Sequence, residues 1–234
     1  MGIFAKPLGY LLSWLYDFIG SYGIALVVLT LIVKIALYPL YAKQIKTTTN
    51  MTKLQPKIRE IQQKYAKNKE LMNQKMAELY EKEGGSMYGG CMPMLVQMFV
   101  IMGLFALLRN PMAYLNDDNM LFAIHESFLW IPDLAQPDKW ILPIVSGIAT
   151  FIAFNFSQTS NTAAPGADQA NAMMKIMKYF FPLMILMMAR SYPAGLAVYW
   201  SVSQIIQIFY NIRFAHLKKK ILGDDKKKKK PARA

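Results

Sequence analysis

The stretch Ile24 to Leu40, IALVVLTLIVKIALYPL, is an apolar run of membrane length with one ammonium group, Lys34, inside it. A charged residue near the middle of a membrane helix costs roughly 2.5 to 3.5 kcal/mol on insertion scales, so a chain that keeps one needs a reason. Three reasons fit. Lys34 lies six residues before Leu40, roughly 9 Å along a helix, so its butyl stem can snorkel to the interface. A water-filled polar cavity within the membrane can hold it charged. A buried lysine of lowered pKa can also act as a proton carrier.

Composition agrees with a polytopic membrane protein built from helices. Hydrophobic residues make up 54% of the 234, in several long runs, which excludes an ordinary soluble domain. The single cysteine, Cys91, excludes an intramolecular disulfide framework, and the two histidines, His125 and His216, stand far apart with no ligand motif around them. No metal and no other cofactor is expected. The adjacent acids Asp117 and Asp118 read as a solvated loop turn. With no nucleophile-base pair, phosphate-cradling glycine loop or paired catalytic carboxylates, the chain is not expected to be an enzyme.

Taken in order, residues 1–20 space their apolar residues helically, with a break at Pro7, and carry Tyr10, Trp14 and Tyr16. They predict an amphipathic helix on the outer membrane surface. A signal peptide is the competing explanation, but Asp17 interrupts the apolar region and no cleavage site follows. The first span is expected at 21–41, bent near Pro39. Residues 42–88 repeat apolar positions at three- and four-residue intervals, with Lys67-Asn68-Lys69 as the turn of a helical hairpin. Further spans are expected at 91–109, 140–158, 175–190 and 193–212, separated by an acidic loop at 110–139 and a polar loop at 159–174. The fourth is short: eleven residues separate Lys178 from Arg190, against about 30 Å of hydrocarbon. The basic tail 213–234 is expected to be disordered in isolation.

The net charge of +13 is uneven. Lys43 to Glu83 holds ten basic residues against five acids, and Arg213 to Ala234 ten against two, whereas Asn110 to Lys139 holds five acids and one lysine. Basic loops stay in the cytoplasm, so hairpin and tail face inward, the acidic loop outward, and the N-terminus lies outside.

Polar groups on otherwise apolar spans, Lys34, Gln97, Ser146, Thr150, Asn155, Ser201, Ser203 and Gln204, are the remaining candidates for function. Interhelical hydrogen bonding explains each of them equally. Seventeen methionines, including Met184 and Met187 on the fourth span, suit either promiscuous apolar binding or plain packing.

Four ordered blocks, GGCMPMLVQMFVIMGLFALLRNP, FLWIPDLAQPDKWILPI, MKYFFPLMIL and YPAGLAVYWSVSQIIQI, resemble the YidC/Oxa/Alb membrane protein insertases in their five-span bacterial form. The resemblance covers about Gly9 to Arg213. It implies an all-α polytopic protein of the bacterial cytoplasmic membrane, five transmembrane helices around a cytoplasm-open hydrophilic groove with a cytoplasmic hairpin. It implies insertion and folding of newly made membrane proteins, alone or with the Sec translocon. Lys34 matches the family's groove position, usually Arg, and keeps the charge while losing the planar fork of donors. Relatives often carry Gln where Phe154 stands here, which shifts groove polarity to Asn155. Tyr199 and Trp200 match positions along the substrate path.

The expected groove is therefore Lys34, Gln97, Asn155, Tyr199, Trp200 and Ser203, with an apolar sliding face of Phe151, Met184 and Met187. Lys218, Lys219, Lys220, Lys226, Lys227 and Lys228 are expected to meet the ribosome or anionic lipid. Expected partners are nascent membrane proteins, the ribosome, the Sec translocon and the bilayer. A small ion or proton-coupled transporter with Lys34 as titrating site is the rival, weakened by the lack of an internal repeat. A structural assembly factor for membrane complexes is a third possibility.

Overall fold

The computed structural model describes residues 2–82, 92–109, 113–114, 118–158 and 167–228. Among them are eight α-helices and, as the only extended pairing, one bridge between Phe128 and Ile131. Helix α1 (Gly2–Ile19) buries Ala5, Leu12 and Leu15, and leaves Tyr10, Trp14 and Phe18 exposed at four-residue steps. The helix runs through Pro7, where a break was expected, at the loss of one ladder bond.

Helix α2 (Tyr22–Lys64) is 43 residues long and contains Pro39 and Pro56. The helix does not end with the apolar stretch near Tyr41: that stretch and the first arm of the hairpin are one helix. Each proline deletes one ladder bond, while packing on both sides of Pro39 keeps the backbone helical. The turn at 65–68 lies where the sequence placed it, and Asn68 caps α3 (Lys69–Lys82), its Oδ1 accepting from the Leu71 N–H at 3.1 Å. Leu54 and Ile58 of α2 close on Tyr80 of α3, with Met76 and Leu79 alongside.

Five helices follow: α4 (Met92–Arg109), the short α5 (Asp118–Ala123), α6 (Ile141–Gln158), α7 (Ala167–Ala189) and α8 (Ala194–Lys228). Helix α8 packs between α2 and α6; α7 covers α6, and α1 bridges α2 and α4. Helix α8 also differs from expectation, continuing into the basic tail as far as Lys228. A helix already nucleated by packing extends through lysines at little cost. Among the described residues, Tyr22–Lys43 is long and apolar enough to cross a membrane by itself, with mean hydropathy 2.3. Met98–Arg109, Ile141–Phe156 and Ile176–Ala189 are shorter apolar stretches.

One loop organises the N-terminal ends of three helices. Ser21 flanks α2 in extended conformation without a side-chain cap of its own. Glu126 supplies it instead: Oε2 accepts from the Tyr22 N–H at 2.8 Å, and Oε1 from the Tyr16 hydroxyl at 2.5 Å. Asp138 does the same for α6, accepting from the Leu142 and Trp140 N–H groups and the Trp130 indole. Burial alone would raise its carboxyl, but these donors outweigh burial and hold it below the usual carboxylate range. The carbonyls of Gln136 and Leu134 accept from Ala194 and Gly195 at the start of α8, both at 2.9 Å. The orphan N–H groups of α2, α6 and α8 are thus satisfied from 126–138, which sets the three helices parallel. Gly23 is where the loop presses closest, since a Cβ there would stand 2.8 Å from the Phe128 Cβ and closer still to its ring.

Candidate functional site

Lys34 lies twelve residues into α2 on the side facing α8, with only 3% of its surface exposed. Its side chain turns inward to α8 and does not snorkel. Nζ donates to the Gln207 Oε1 at 3.3 Å and stands 5.4 Å from the centre of the Tyr41 ring, the cation-π geometry that suits a desolvated ammonium. Gln207 Nε2 donates to Asn211 Oδ1 at 3.1 Å, and Asn211 Nδ2 donates to the Ala153 carbonyl of α6 at 3.1 Å. From the other side the Tyr210 hydroxyl donates to the Lys34 carbonyl at 3.2 Å. Tyr38, Tyr41, Tyr210 and Phe214 cluster beside this chain. Gln207 and these rings cover the ammonium.

Of the other expected groove residues, Tyr199 and Ser203 lie on the same α8 stripe as Gln207 and Asn211, at four-residue steps, and are buried at 1% and 2% exposure. Tyr199 packs in the hydrophobic core cluster. Trp200 points toward α6, its indole N–H donating to Thr150 Oγ1 at 2.9 Å. Ser146 and Ser201 hydrogen-bond at 2.8 Å across the same interface. Asn155 is half-buried and donates to the Phe151 carbonyl one turn back at 3.1 Å, so it is not brought to Lys34 by that bond. The side chain of Gln97 lies outside the described residues.

The expected sliding face is divided. Phe151 is half-buried beneath the Lys178 ammonium and beside Tyr179, Met184 is half-buried, and Met187 is exposed. Around Met187, the α6 and α7 side chains Ile148, Ile152, Phe180 and Leu183 are also exposed. A wholly apolar cavity of about 60 Å³ lies between α4, α7 and α8, lined by Ile101, Phe105, Met188, Tyr192 and Trp200 among others; without polar walls it does not hold water. Of the six tail lysines, Lys218 is half-buried, and burial pulls its ammonium below the ordinary lysine range. The side chains of Lys219, Lys220, Lys226, Lys227 and Lys228 lie outside the described residues.

Neither Gln207 nor Asn211 is among the polar candidates read from the sequence. A signal existed: Tyr199, Ser203, Gln207 and Asn211 recur every four residues on an otherwise apolar helix, one continuous polar stripe.

The chain matches the family described as 60Kd inner membrane protein over residues 14–220. It is 36% identical over 202 residues to a membrane protein insertase YidC of Fusobacterium nucleatum, covering 86% of this chain and 89% of that one. It is 36% identical over 221 residues to the membrane protein insertase YidC of Oceanobacillus iheyensis, covering 90% and 83%. Among solved structures, it is similar to a crystal structure of an active YidC insertase with its first transmembrane domain resolved. The TM-score is 0.60 at 28% identity, over 89% of this chain and 45% of that longer one.

Proposed function

The chain belongs to the 60Kd inner membrane protein family, among the YidC membrane protein insertases, and on that premise we propose that Lys34 is the charge by which it takes up its substrates. It is an inner-membrane insertase acting on newly made membrane proteins. The transporter alternative finds no support among these relatives. The observation that carries the proposal is the placement of Lys34, an ammonium buried within the apolar part of α2 yet held by a neutral amide. A neutral partner satisfies the ammonium without cancelling its charge, which stays available to an acidic segment arriving from the cytoplasm.

In this mechanism five helices, 22–43 of α2 with α4, α6, α7 and the outer part of α8, cross the membrane, with the N-terminus outside and the C-terminus inside. The acidic outer tail of a substrate displaces the amide and tyrosine cover of Lys34. The polar stripe Tyr199, Ser203, Gln207 lets it advance, with Gln97 and Asn155 completing the path. The substrate's apolar segment then passes into lipid along the exposed face of α6 and α7, with Phe151, Met184 and Met187 beside it. The driving force is apolar burial at roughly 25 cal/mol per Å². No covalent bond changes, so no cofactor enters.

Lys218 to Lys220 and Lys226 to Lys228 extend α8 as a basic rod directed to the ribosome, and the Sec translocon is a further partner. The test is insertion of a single-span protein with an acidic outer tail into vesicles containing only this protein. Lys34→Arg is expected to keep at least half of the activity and Lys34→Ala to lose at least tenfold. Equal activity in all three would remove Lys34 from the mechanism. Truncation after Phe214 is expected to abolish ribosome co-sedimentation in the same vesicles; unchanged co-sedimentation would remove the tail.

A further inference from the structure

We infer that Gln207 and Asn211 are positioning residues that hold the acceptor end of an amide in place at Lys34, anchored at the far end by the backbone carbonyl of Ala153; this rests on the role proposed for Lys34.

A carboxamide has a donor end and an acceptor end of the same size, and packing alone does not choose between them. The Ala153 carbonyl can only accept. Asn211 must therefore turn Nδ2 toward it, at 3.1 Å, which leaves Oδ1 facing Gln207. Gln207 must then turn Nε2 toward that oxygen, at 3.1 Å, which leaves Oε1 facing the Lys34 ammonium at 3.3 Å. The backbone of α6 thus anchors, through two side chains of α8, the same orientation that the ammonium of α2 requires, and the group held against Lys34 is an acceptor. Reversing Gln207 would set two N–H donors against an ammonium and two oxygens against each other. The elements are also held in register, since Asn211 and Ala153 are buried at 8% and 3% exposure and Tyr210 grips the Lys34 carbonyl.

The device suits a lysine in particular. An ammonium on a flexible stem has no planar fork to fix its own direction, so orientation must come from what receives it. A neutral acceptor sets that direction at no loss of charge, whereas a carboxylate at position 207 would set it and neutralise it.

The test measures insertion into vesicles of two single-span substrates that differ only in the outer tail, acidic or with each acid replaced by its amide, and compares the ratio of the two. Lys34→Ala first tests the role of Lys34: it must lower the acidic-to-neutral ratio at least tenfold, and a ratio unchanged from wild type would overturn that role and this inference together. Given that result, Gln207→Glu is expected to lower the ratio at least tenfold, and Gln207→Met, of similar length but with no acceptor, at least threefold. Asn211→Leu, which removes the acceptor anchoring Gln207 Nε2 and lets the Gln207 side chain swing away from Lys34, is expected to lower it at least threefold while leaving Gln207 itself intact. Wild-type ratios in Gln207→Glu and Asn211→Leu, with the ratio of Lys34→Ala lowered tenfold, would overturn the inference and leave the role of Lys34 standing. Should Gln207→Glu fail to reach the membrane, the ratios of Gln207→Met and Asn211→Leu decide in the same way. A merely structural role for the pair would depress both substrates equally and leave the ratio unmoved.

Discussion

Glu126→Ala should be the most damaging single change outside the membrane-facing helices. One carboxylate accepts the Tyr16 hydroxyl at 2.5 Å and the Tyr22 N–H at 2.8 Å, tying α1, the start of α2 and the outer loop together. Loss of a helix N-cap costs about 1 kcal/mol. A hydrogen bond to a charged acceptor contributes about 1.5 kcal/mol at the low end of its range. The expected loss is then about 2 to 3 kcal/mol, and at about 2 to 4 °C per kcal/mol for a chain of this size the midpoint falls by about 5 to 10 °C. Thermal unfolding in detergent micelles measures it. Tyr16→Phe should account for about half, and the double variant should fall short of the sum because both changes break the same bond. A midpoint for Glu126→Ala within 1 °C of wild type would refute the assignment of Glu126 as the cap of α2.

Gly23→Ala forces its new methyl against the Cβ and ring of Phe128. It is expected to destabilise by about 1 to 3 kcal/mol and to be largely relieved in combination with Phe128→Ala; additive midpoints would show that the contact does not matter. Asp138, held below the usual range by the N–H groups at the start of α6, contributes stability that is fully present above the unfolded carboxylate range, near pH 4. That contribution is lost as pH falls through its lowered folded value. The midpoint difference between wild type and Asp138→Asn should therefore be present at pH 7 and shrink as pH falls below the unfolded carboxylate range in melting scans, and a gap independent of pH would contradict the cap.

The helices were legible because their signals are local. Apolar spacing gave α1, both hairpin arms and the later helices, and the Lys67-Asn68-Lys69 turn was found because Asn68 is a cap in its own short stretch. Helix ends were less legible. Pro7 read as a break and Pro39 as a bend near the end of the first span, yet the helix runs on through both. The tail read as disordered because lysine repulsion is visible in sequence, whereas propagation from a packed helix is not. The caps from Glu126 and Asp138 were invisible for a different reason. Glu126 serves a residue 104 positions away, and no local rule reaches that far. Lys34 stood out at once because a charge in an apolar run is conspicuous, but its partner came from α8 by tertiary contact, 173 residues on. The burial of Tyr199 in the core was likewise not legible, since it depends on tertiary contacts.

The absence of any joint between the buried ammonium and the hairpin arm gives the chain a phase. Because α2 is one helix from Tyr22 to Lys64, the face bearing Lys34 and the face bearing Leu54 and Ile58 are locked at a fixed angle about one axis. Adding or deleting a single residue between them would turn the hairpin by about 100° relative to the ammonium. The spacing from Lys34 to Leu54 can thus change among descendants of this sequence only in steps near whole turns, about 7 or 11 residues, or together with a new break in the rod. Length in this segment works as an angular coordinate, and indels there are filtered by rotation before they are filtered by chemistry.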